Sequence, residues 1–335
     1  MLIVYYTNLG AGWEPLTYMV NLAVELFEAE LLVLDGKRPN RFQQLEYFLR
    51  RRKNTGGESC LLICPNPTLL LSLSLIQGWR KRFNRIAAWI IDSYWVDWIP
   101  KIMQVSQLFD HLFVTTQEDV LEWQKLMKTP TTWLPWGSDA LRLGGRNSNR
   151  IWDLVRVGRQ PLEWEDDSQT AQFCLDRNLR FHGRPQFFAN ANENQAKLME
   201  FYRQTKFSLA FSNIANPTTY THPSREYLTG RWVDALACGA VVAGIPPKAP
   251  SIDRLLWEGA TLDLQSVHIQ EGLQIIFEAA RNWRAEQAEK NYQQALERLD
   301  WRWRFAAIAD TLNESPKRLH DELQLLNQKI ERCMC

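Results

Sequence analysis

The residues best suited to chemistry lie within residues 224–242, where the chain reads SREYLTGRWVDALACGAVV. Glu226 and Asp234 are eight positions apart, so they lie roughly two turns apart if this segment is helical. Gly239 stops the predicted helix, and the apolar residues 240–243 follow as a buried strand. A helix N-terminus offers unpaired N–H groups to a diphosphate, and a nearby carboxylate accepts hydrogen bonds from sugar hydroxyls. The pattern is typical of a binding site for a nucleotide-linked substrate.

This segment resembles the donor-binding element of GT-B glycosyltransferases, in which two acids separated by seven residues precede a small-residue helix end, a glycine and a strand. The turn 229–232, Thr-Gly-Arg-Trp, is similar to the spore-maturation-type branch of that superfamily. The resemblance implies that Glu226 faces the transferred sugar and Asp234 the nucleotide ribose. The alternative for both acids is that they only complement the helix dipole. Asp234 stands where Glu is commoner, and Gly230 lies one place later than the family glycine.

The second half of the chain supplies further candidates for holding a diphosphate. Thr229 is predicted to cap the helix and to leave the N–H groups of Gly230 and Arg231 to a phosphate. Arg159 follows a predicted strand and a glycine, so its guanidinium can reach phosphate oxygens, although a surface salt bridge is the alternative. The family pattern places a lysine shortly after this arginine, and the chain has none there. We expect Arg225 or Arg231 to replace that charge, unless the diphosphate is held differently.

The loop that follows the next predicted strand reads His182-Gly183-Arg184. The resemblance implies that its backbone seats the nucleobase. An ordinary glycine turn beside a partly buried histidine is the alternative.

The first half offers fewer candidates. Gly10 and Gly12 follow the first predicted strand, where the resemblance implies an approach to acceptor or donor phosphate and a simple turn is equally possible. Asp92 ends another strand and is our candidate for handling the acceptor proton, with capping of the next turn as the alternative. Basic residues at 50–53 and 80–85 either meet an anionic membrane surface or are solvated helix ends.

Composition excludes several classes of protein. A formal net charge of +1 gives no general attraction to nucleic acid. The 15 tryptophans could stack on carbohydrate, although core packing is the usual role of this residue. The six cysteines imply neither a disulfide framework nor a zinc site. Without a signal peptide or an apolar run of about 18 residues, we expect a cytoplasmic protein, with peripheral contact at the inner membrane face as the alternative.

Short apolar runs alternate with amphipathic segments along the chain, which predicts parallel sheets covered by helices. We expect an α/β protein of two doubly wound, Rossmann-like domains facing across a cleft, a GT-B-like arrangement. The predicted acceptor-side domain is 1–140, the nucleotide-sugar-binding domain is 141–300, and helices at 301–335 cross back toward the first domain. Residues 69–83 and 273–299 are each predicted to be one helix.

The working hypothesis is a glycosyltransferase that moves a sugar from a nucleotide diphosphate donor, of UDP or GDP type, to an acceptor hydroxyl. The acceptor could be a glycan, a lipid-linked sugar or a small molecule. No metal motif is apparent, so arginines and helix N–H groups would balance the leaving-group charge without a cofactor. Retention of anomeric configuration is implied by the resemblance alone. A nucleotide-sugar epimerase of the same fold, or a non-catalytic GT-B-like binding protein, remains the alternative.

Overall fold

The computed structural model describes residues 1–7, 10–36, 38–49 and 56–334. They form two compact units, each with its own parallel β-sheet. The first unit comprises Met1–Pro135 and Arg304–Leu323, and the second comprises Trp136–Trp303 and Gln324–Cys335. The chain therefore changes unit three times, after Pro135, Trp303 and Leu323.

The first unit holds six parallel strands in the order β2-β1-β3-β4-β5-β6. The strands are β1 (Leu2–Thr7), β2 (Glu30–Asp35), β3 (Glu58–Cys64), β4 (Phe83–Ile90), β5 (His111–Val114) and β6 (Thr131–Trp133). The helices between them are α1 (Glu14–Phe27), α2 (Arg41–Leu49), α3 (Trp79–Arg82), α4 (Lys101–Ser106) and α5 (Val120–Met127). Side chains on both faces of β3 are buried, as expected for a parallel strand covered by helices on both sides.

Residues 304–323 complete the first unit although they lie far along the chain. Ser59 Oγ donates to the carbonyl of Leu312 (3.4 Å), and Arg85 Nη1 donates to the carbonyl of Thr311 (2.7 Å). Phe305 packs edge-on against Phe27, with 5.9 Å between ring centroids. These contacts attach the late segment to β3, β4 and α1.

The second unit holds five parallel strands in the order β11-β10-β9-β7-β8. The strands are β7 (Trp152–Arg156), β8 (Phe181–His182), β9 (Thr205–Leu209), β10 (Val241–Gly244) and β11 (Thr261–Asp263). The helices are α6 (Asp167–Leu175), α7 (Ala191–Arg203), α8 (Gly230–Ala237), α9 (Pro250–Leu255), α10 (Ile269–Arg281), α11 (Ala285–Arg298), α12 (Trp301–Leu312) and α13 (Lys317–Met334), and the last two extend into the first unit. The prediction of two α/β units with parallel sheets is confirmed.

Two helix predictions are wrong. Residues 69–83 form a 3₁₀ helix over Pro67–Leu75, a turn and the short α3, because Gly78 adopts a left-handed φ of 68° and the apolar run has no helical period. Residues 273–299 form two helices, α10 and α11, which are separated at residues 282–284. The short β11 was not predicted, and its side chains are only half-buried or exposed.

A buried ionic group ties the start of the second unit to its end. Arg302 Nη1 lies 2.5 Å from Asp139 Oδ1 and 3.2 Å from Asp300 Oδ1, and all three side chains are completely buried. The backbone N–H of Ser138 donates to the carbonyl of Leu299 (2.8 Å). Burial raises the pKa of Asp300, while the Arg302 charge acts in the opposite direction. The group therefore anchors the segments next to two of the three changes of unit, after Pro135 and after Trp303.

Arg302→Met leaves two carboxyl groups buried without their cation, so we expect a loss of about 3–5 kcal/mol in the free energy of unfolding. Urea unfolding followed by tryptophan fluorescence measures the loss. Arg281→Met removes an exposed arginine of the same unit and should change stability by less than about 0.5 kcal/mol. Equal stability of Arg302→Met and the wild type would contradict an ionic role for Arg302.

Candidate functional site

The acid-pair segment begins as a loop and becomes helical only at its second half. Thr229 occupies the N-cap position with an extended backbone, and α8 starts at Gly230. Glu226 lies in the loop before the helix, where its Oε2 accepts the backbone N–H of Lys248 (3.0 Å). Since Lys248 follows β10, this bond holds the half-exposed Glu226 at the carboxyl edge of the sheet. The two acids therefore do not share one helix.

Asp234 is the buried acid of the predicted pair. Its side chain is buried on α8, with Oδ1 accepting from Ser138 Oγ (2.6 Å) and Oδ2 accepting from Gln195 Nε2 (3.0 Å). Burial raises the pKa of Asp234 to about 6, while these two hydrogen bonds favour its charged form. Contact of Asp234 with the nucleotide ribose stays a prediction. In this structure Asp234 joins α8 to α7 and to the segment that contains Ser138.

Three of the predicted donor-binding arginines, Arg159, Arg184 and Arg231, meet around Gly158, and we call them the arginine cluster. Arg231 Nη1 donates to the carbonyl of Arg159 (2.5 Å), and Arg184 Nη2 donates to the carbonyl of Gly158 (3.3 Å). Gly158 has a left-handed φ of 70°, and a Cβ there would lie 3.1 Å from Arg231 Cδ. Arg231, one of the two candidates to replace the missing lysine, therefore contacts the Arg159 turn.

The electrostatics of the arginine cluster favour an anion. Burial lowers the pKa of Arg231, and the like charge of Arg159 acts in the same direction. Arg159 Nη1 and Thr229 Oγ1 are both buried, and neither has a hydrogen-bond partner among the described residues. Because buried polar groups are normally paired, these two atoms are poised for a ligand. The first N–H groups of α8 also lack helical partners, as at any helix start.

The 182–184 loop packs on two acids of the second unit. Asp167 Oδ2 accepts the backbone N–H of Arg184 (3.1 Å), and Glu165 Oε2 accepts from its guanidinium (3.1 Å). Burial opposes the charged form of Asp167, but hydrogen bonds from Arg156 and Arg184 outweigh it and lower its pKa. A Cβ at Gly183 would lie only 2.5 Å from Asp167 Cγ, so a side chain at this position would displace the Asp167 carboxylate.

His182 lies between aromatic rings rather than in the open. Its ring is edge-on to Trp152 and Phe201, with centroids 4.9 and 4.7 Å away, and its Nδ1 is 2.8 Å from the Gly183 carbonyl, to which it can donate. The half-buried imidazole therefore fixes the shape of the loop. Seating of a nucleobase by this loop stays a prediction.

Two residues near the arginine cluster were missed from the sequence. Tyr220, 63% exposed, carries the Arg159 guanidinium over its ring, 5.3 Å from the centroid. The buried Asn213 donates from its Nδ2 to the carbonyls of His222 and Arg225, at 2.8 Å each. Asn213 thus clamps the loop that carries Arg225 and leads to Glu226. Neither residue has a spacing that distinguishes it in one sequence.

The first-unit candidates lie at the carboxyl edge of their own sheet. Asp92 follows β4 by two residues, and burial raises its pKa to about 7, although a hydrogen bond from Tyr94 favours the charged form. Gly10 and Gly12 follow β1, and a Cβ at either position would meet no atom within 4 Å. Only Gly10, with φ of 82°, has a backbone that favours glycine. These three residues are not brought together with the arginine cluster by any described contact.

The basic clusters of the first unit give no support to membrane contact. Residues 50–53 lie outside the described residues. In residues 80–85, Arg82 forms salt bridges with Glu30 (3.0 Å) and Glu58 (2.8 Å), while Arg80 stacks on Trp79. Within the described ranges, no helix has the length and apolar character that crossing a bilayer requires. The same part of the chain contains no group of three or more His, Cys, Asp and Glu side chains that could hold a metal ion.

Comparison with known proteins gives one family match and several solved structures of similar fold. Residues 153–310 match the glycosyl transferase-like family Glyco_trans_1_2. A glycosyltransferase from Rickettsia africae ESF-5 superposes with a TM-score of 0.53 at 9% identity, over 94% of this chain and 99% of that one. TarM gives a TM-score of 0.49 at 11% identity over 81% of this chain, which spans 58% of the length of TarM. Among curated proteins, no relative matches the sequence.

The two parallel-sheet units and the rickettsial structure define the GT-B fold. Residues 153–310, less than half of the chain, are in addition similar to a glycosyl transferase-like family. The match spans the arginine cluster, Glu226 and α8. The closer resemblance to the spore-maturation branch stays a prediction.

Ser138→Ala tests whether Asp234 is an internal, ionised acceptor. The raised pKa of Asp234 means that its contribution to stability is present below the unfolded pKa of about 3.9 and is lost as pH rises through about 6. Loss of the Ser138 donor raises this pKa further. We therefore expect a small destabilisation at pH 5 and a loss of about 1–3 kcal/mol at pH 8.

Urea unfolding at several pH values checks this expectation. Ser168→Ala, which changes an exposed serine of the same unit, serves as the control and should show no such pH dependence. If Ser138→Ala costs the same at every pH, the hydrogen bond does not depend on the ionisation of Asp234.

Proposed function

We propose that the chain transfers a sugar from a nucleotide diphosphate donor, of UDP or GDP type, to an acceptor hydroxyl. The observation that carries the proposal is the pair of buried, unpartnered atoms, Arg159 Nη1 and Thr229 Oγ1, beside Arg231 at the start of α8. A guanidinium without an anion is costly in a buried position, and a diphosphate supplies both the charge and the acceptor oxygens. The family match over the same residues supports this choice of ligand.

In the proposed reaction, the acceptor oxygen bonds to the anomeric carbon of the donor sugar, and the bond from that carbon to the diphosphate oxygen breaks. The nucleotide diphosphate leaves with the electron pair, and Arg159, Arg231 and the N–H groups of α8 stabilise its charge without a metal ion. The acceptor hydroxyl loses its proton, which Asp92 accepts. Glu226 orients the transferred sugar from the loop that Lys248 holds. Retention of anomeric configuration belongs to the proposal through the family resemblance.

The remaining predicted site residues also have roles in the proposed reaction. The 182–184 loop seats the base, and Arg184 reaches toward the phosphates from the Gly158 carbonyl. Arg225 and Gly230 complete the loop and the helix start around the diphosphate, and Gly10 and Gly12 leave open space after β1 for acceptor or donor. Asp234, whose two oxygens accept hydrogen bonds from Ser138 and Gln195, binds the nucleotide ribose in this proposal.

Arg159→Met should weaken UDP and GDP binding by about ten- to a hundredfold, because a charge-assisted hydrogen bond to phosphate contributes about 1.5–3 kcal/mol. Uridine and guanosine, which lack phosphate, should bind the variant and the wild type equally. Isothermal titration calorimetry measures all four ligands. Arg281→Met, an exposed arginine of the same unit, is the matched control. If UDP and GDP affinities do not change in Arg159→Met, the arginine cluster is not the diphosphate site.

Glu226→Ala and Asp92→Asn should each abolish most transfer while leaving the rise in melting temperature with nucleotide diphosphate intact. For Asp92→Asn we expect kcat to fall by about 10²-fold or more, the usual contribution of a positioned acid or base. Because ionised Asp92 is the acceptor of the proton, wild-type kcat should rise with pH through about 7, and the variant should lack that rise.

Transfer is followed by product release from a panel of nucleotide sugars with mixed acceptors. Full activity in Glu226→Ala would favour the non-catalytic binding protein, and conversion of the donor without any acceptor would favour the epimerase. NMR of the product anomer decides between retention and inversion.

A further inference from the structure

An aromatic turn follows β4 in the first unit, formed by residues 92–98. The N–H of Trp95 donates to the carbonyl of Asp92 (3.3 Å), and the N–H of Trp98 donates to the carbonyl of Trp95 (3.0 Å). Bonds between residues three apart place such residues above one another. The Trp95 and Trp98 rings are accordingly stacked, with 4.3 Å between centroids and an interplanar angle of 6°.

Trp98 presents its ring to solvent. Its side chain is 43% exposed, whereas the other tryptophans of the chain, all within the described residues, are buried or half-buried. An exposed aromatic ring lacks the stabilising free energy that burial of its large apolar surface would contribute. The stacked Trp95 supports one face of Trp98, so the ring is a flat and partly wet platform.

The aromatic turn is held rigidly at the carboxyl edge of the sheet. Ser93 Oγ accepts the N–H groups of Thr115 (3.1 Å) and Thr116 (3.3 Å), which follow β5. The indole N–H of Trp123 donates to the Ser93 carbonyl (2.8 Å), and the N–H of Asp92 donates to the carbonyl of Pro65 (2.9 Å), which follows β3. A platform fixed at three points can bind a ligand with little loss of its own entropy.

The charge of the aromatic turn selects the kind of ligand. Residues 91–100 contain two carboxylates, Asp92 and Asp97, and no lysine or arginine. Negative charge here repels a phosphate. The negative face of an aromatic ring attracts the polarised C–H groups on the apolar face of a pyranose, while a neighbouring carboxylate accepts hydrogen bonds from its hydroxyls.

From these observations we infer that the aromatic turn is the acceptor subsite and binds a neutral pyranoside, with the apolar face of the sugar on Trp98 and a hydroxyl directed to Asp92. This inference rests on the proposed function, because it names the acceptor of that reaction. The raised pKa of Asp92 supports it, since a carboxyl group with a pKa of about 7 can take up the hydroxyl proton near neutral pH. The inference also predicts that an acceptor carrying a phosphate does not bind to the aromatic turn.

Saturation-transfer NMR on the full chain tests the inference. Methyl β-D-glucopyranoside, methyl β-D-galactopyranoside and glycerol 3-phosphate are each presented at millimolar concentration. We expect saturation of at least one glycoside, strongest at the C–H protons of one ring face, and none of glycerol 3-phosphate. Trp98→Ala should weaken glycoside binding by about three- to tenfold, as expected for loss of one stacking contact. Trp98→Phe, which keeps an aromatic face, should retain most of the signal.

Leu121→Ala is the matched control, because it removes a 78% exposed apolar side chain from α5 of the same unit. Near-ultraviolet circular dichroism verifies that each variant is folded. The inference is overturned if Trp98→Ala binds the glycosides as well as the wild type, if Leu121→Ala loses as much signal, if only glycerol 3-phosphate binds, or if neither kind of ligand does. Binding of UDP and GDP to the wild type is titrated in separate experiments. If the wild type binds glycosides but neither nucleotide, the proposed function is overturned.

Discussion

The ion pairs of Arg302 with Asp139 and Asp300 are the interaction on which the second unit most depends. They are fully buried, so removal of any partner leaves an uncompensated charge in the interior. Next to them, Ser138 binds Asp234 on α8, so the same polar network reaches the helix whose N-terminus faces the arginine cluster. These contacts hold α8, and with it the candidate diphosphate site, in place relative to the buried ion pairs of Arg302.

The arginine cluster shows how a protein can keep like charges together. Arg231 lies against the Gly158–Arg159 turn, and its burial disfavours the charged form, as does the neighbouring guanidinium. Backbone carbonyls and the ring of Tyr220 compensate part of this cost, because both present negative potential to the cations. A bound dianion would offset the remainder of this cost, which is why the arginine cluster is the candidate site for a diphosphate.

Much of the fold could be predicted because alternation of apolar runs and amphipathic segments determines strand and helix type. The break between α10 and α11, and the 3₁₀ run over Pro67–Leu75, depend on local backbone geometry that periodicity does not record. For the site, the residue types and their order indicated Arg159 and Arg231, which lie in contact. The burial of Asp234 could not be read from the sequence, because it depends on Ser138, a residue 96 positions away.

The composition of the first unit has a consequence for biosynthesis. Its α/β sheet is translated early, but Phe305, Thr311 and Leu312, which pack against α1, β4 and β3, emerge from the ribosome only after nearly all of the second unit. Since domains tend to fold as they are synthesised, the later unit can mature while the earlier one still exposes an unfinished surface. During elongation the nascent first unit therefore exposes the surface of α1 that Phe305 later covers, until residues 304–323 have been synthesised.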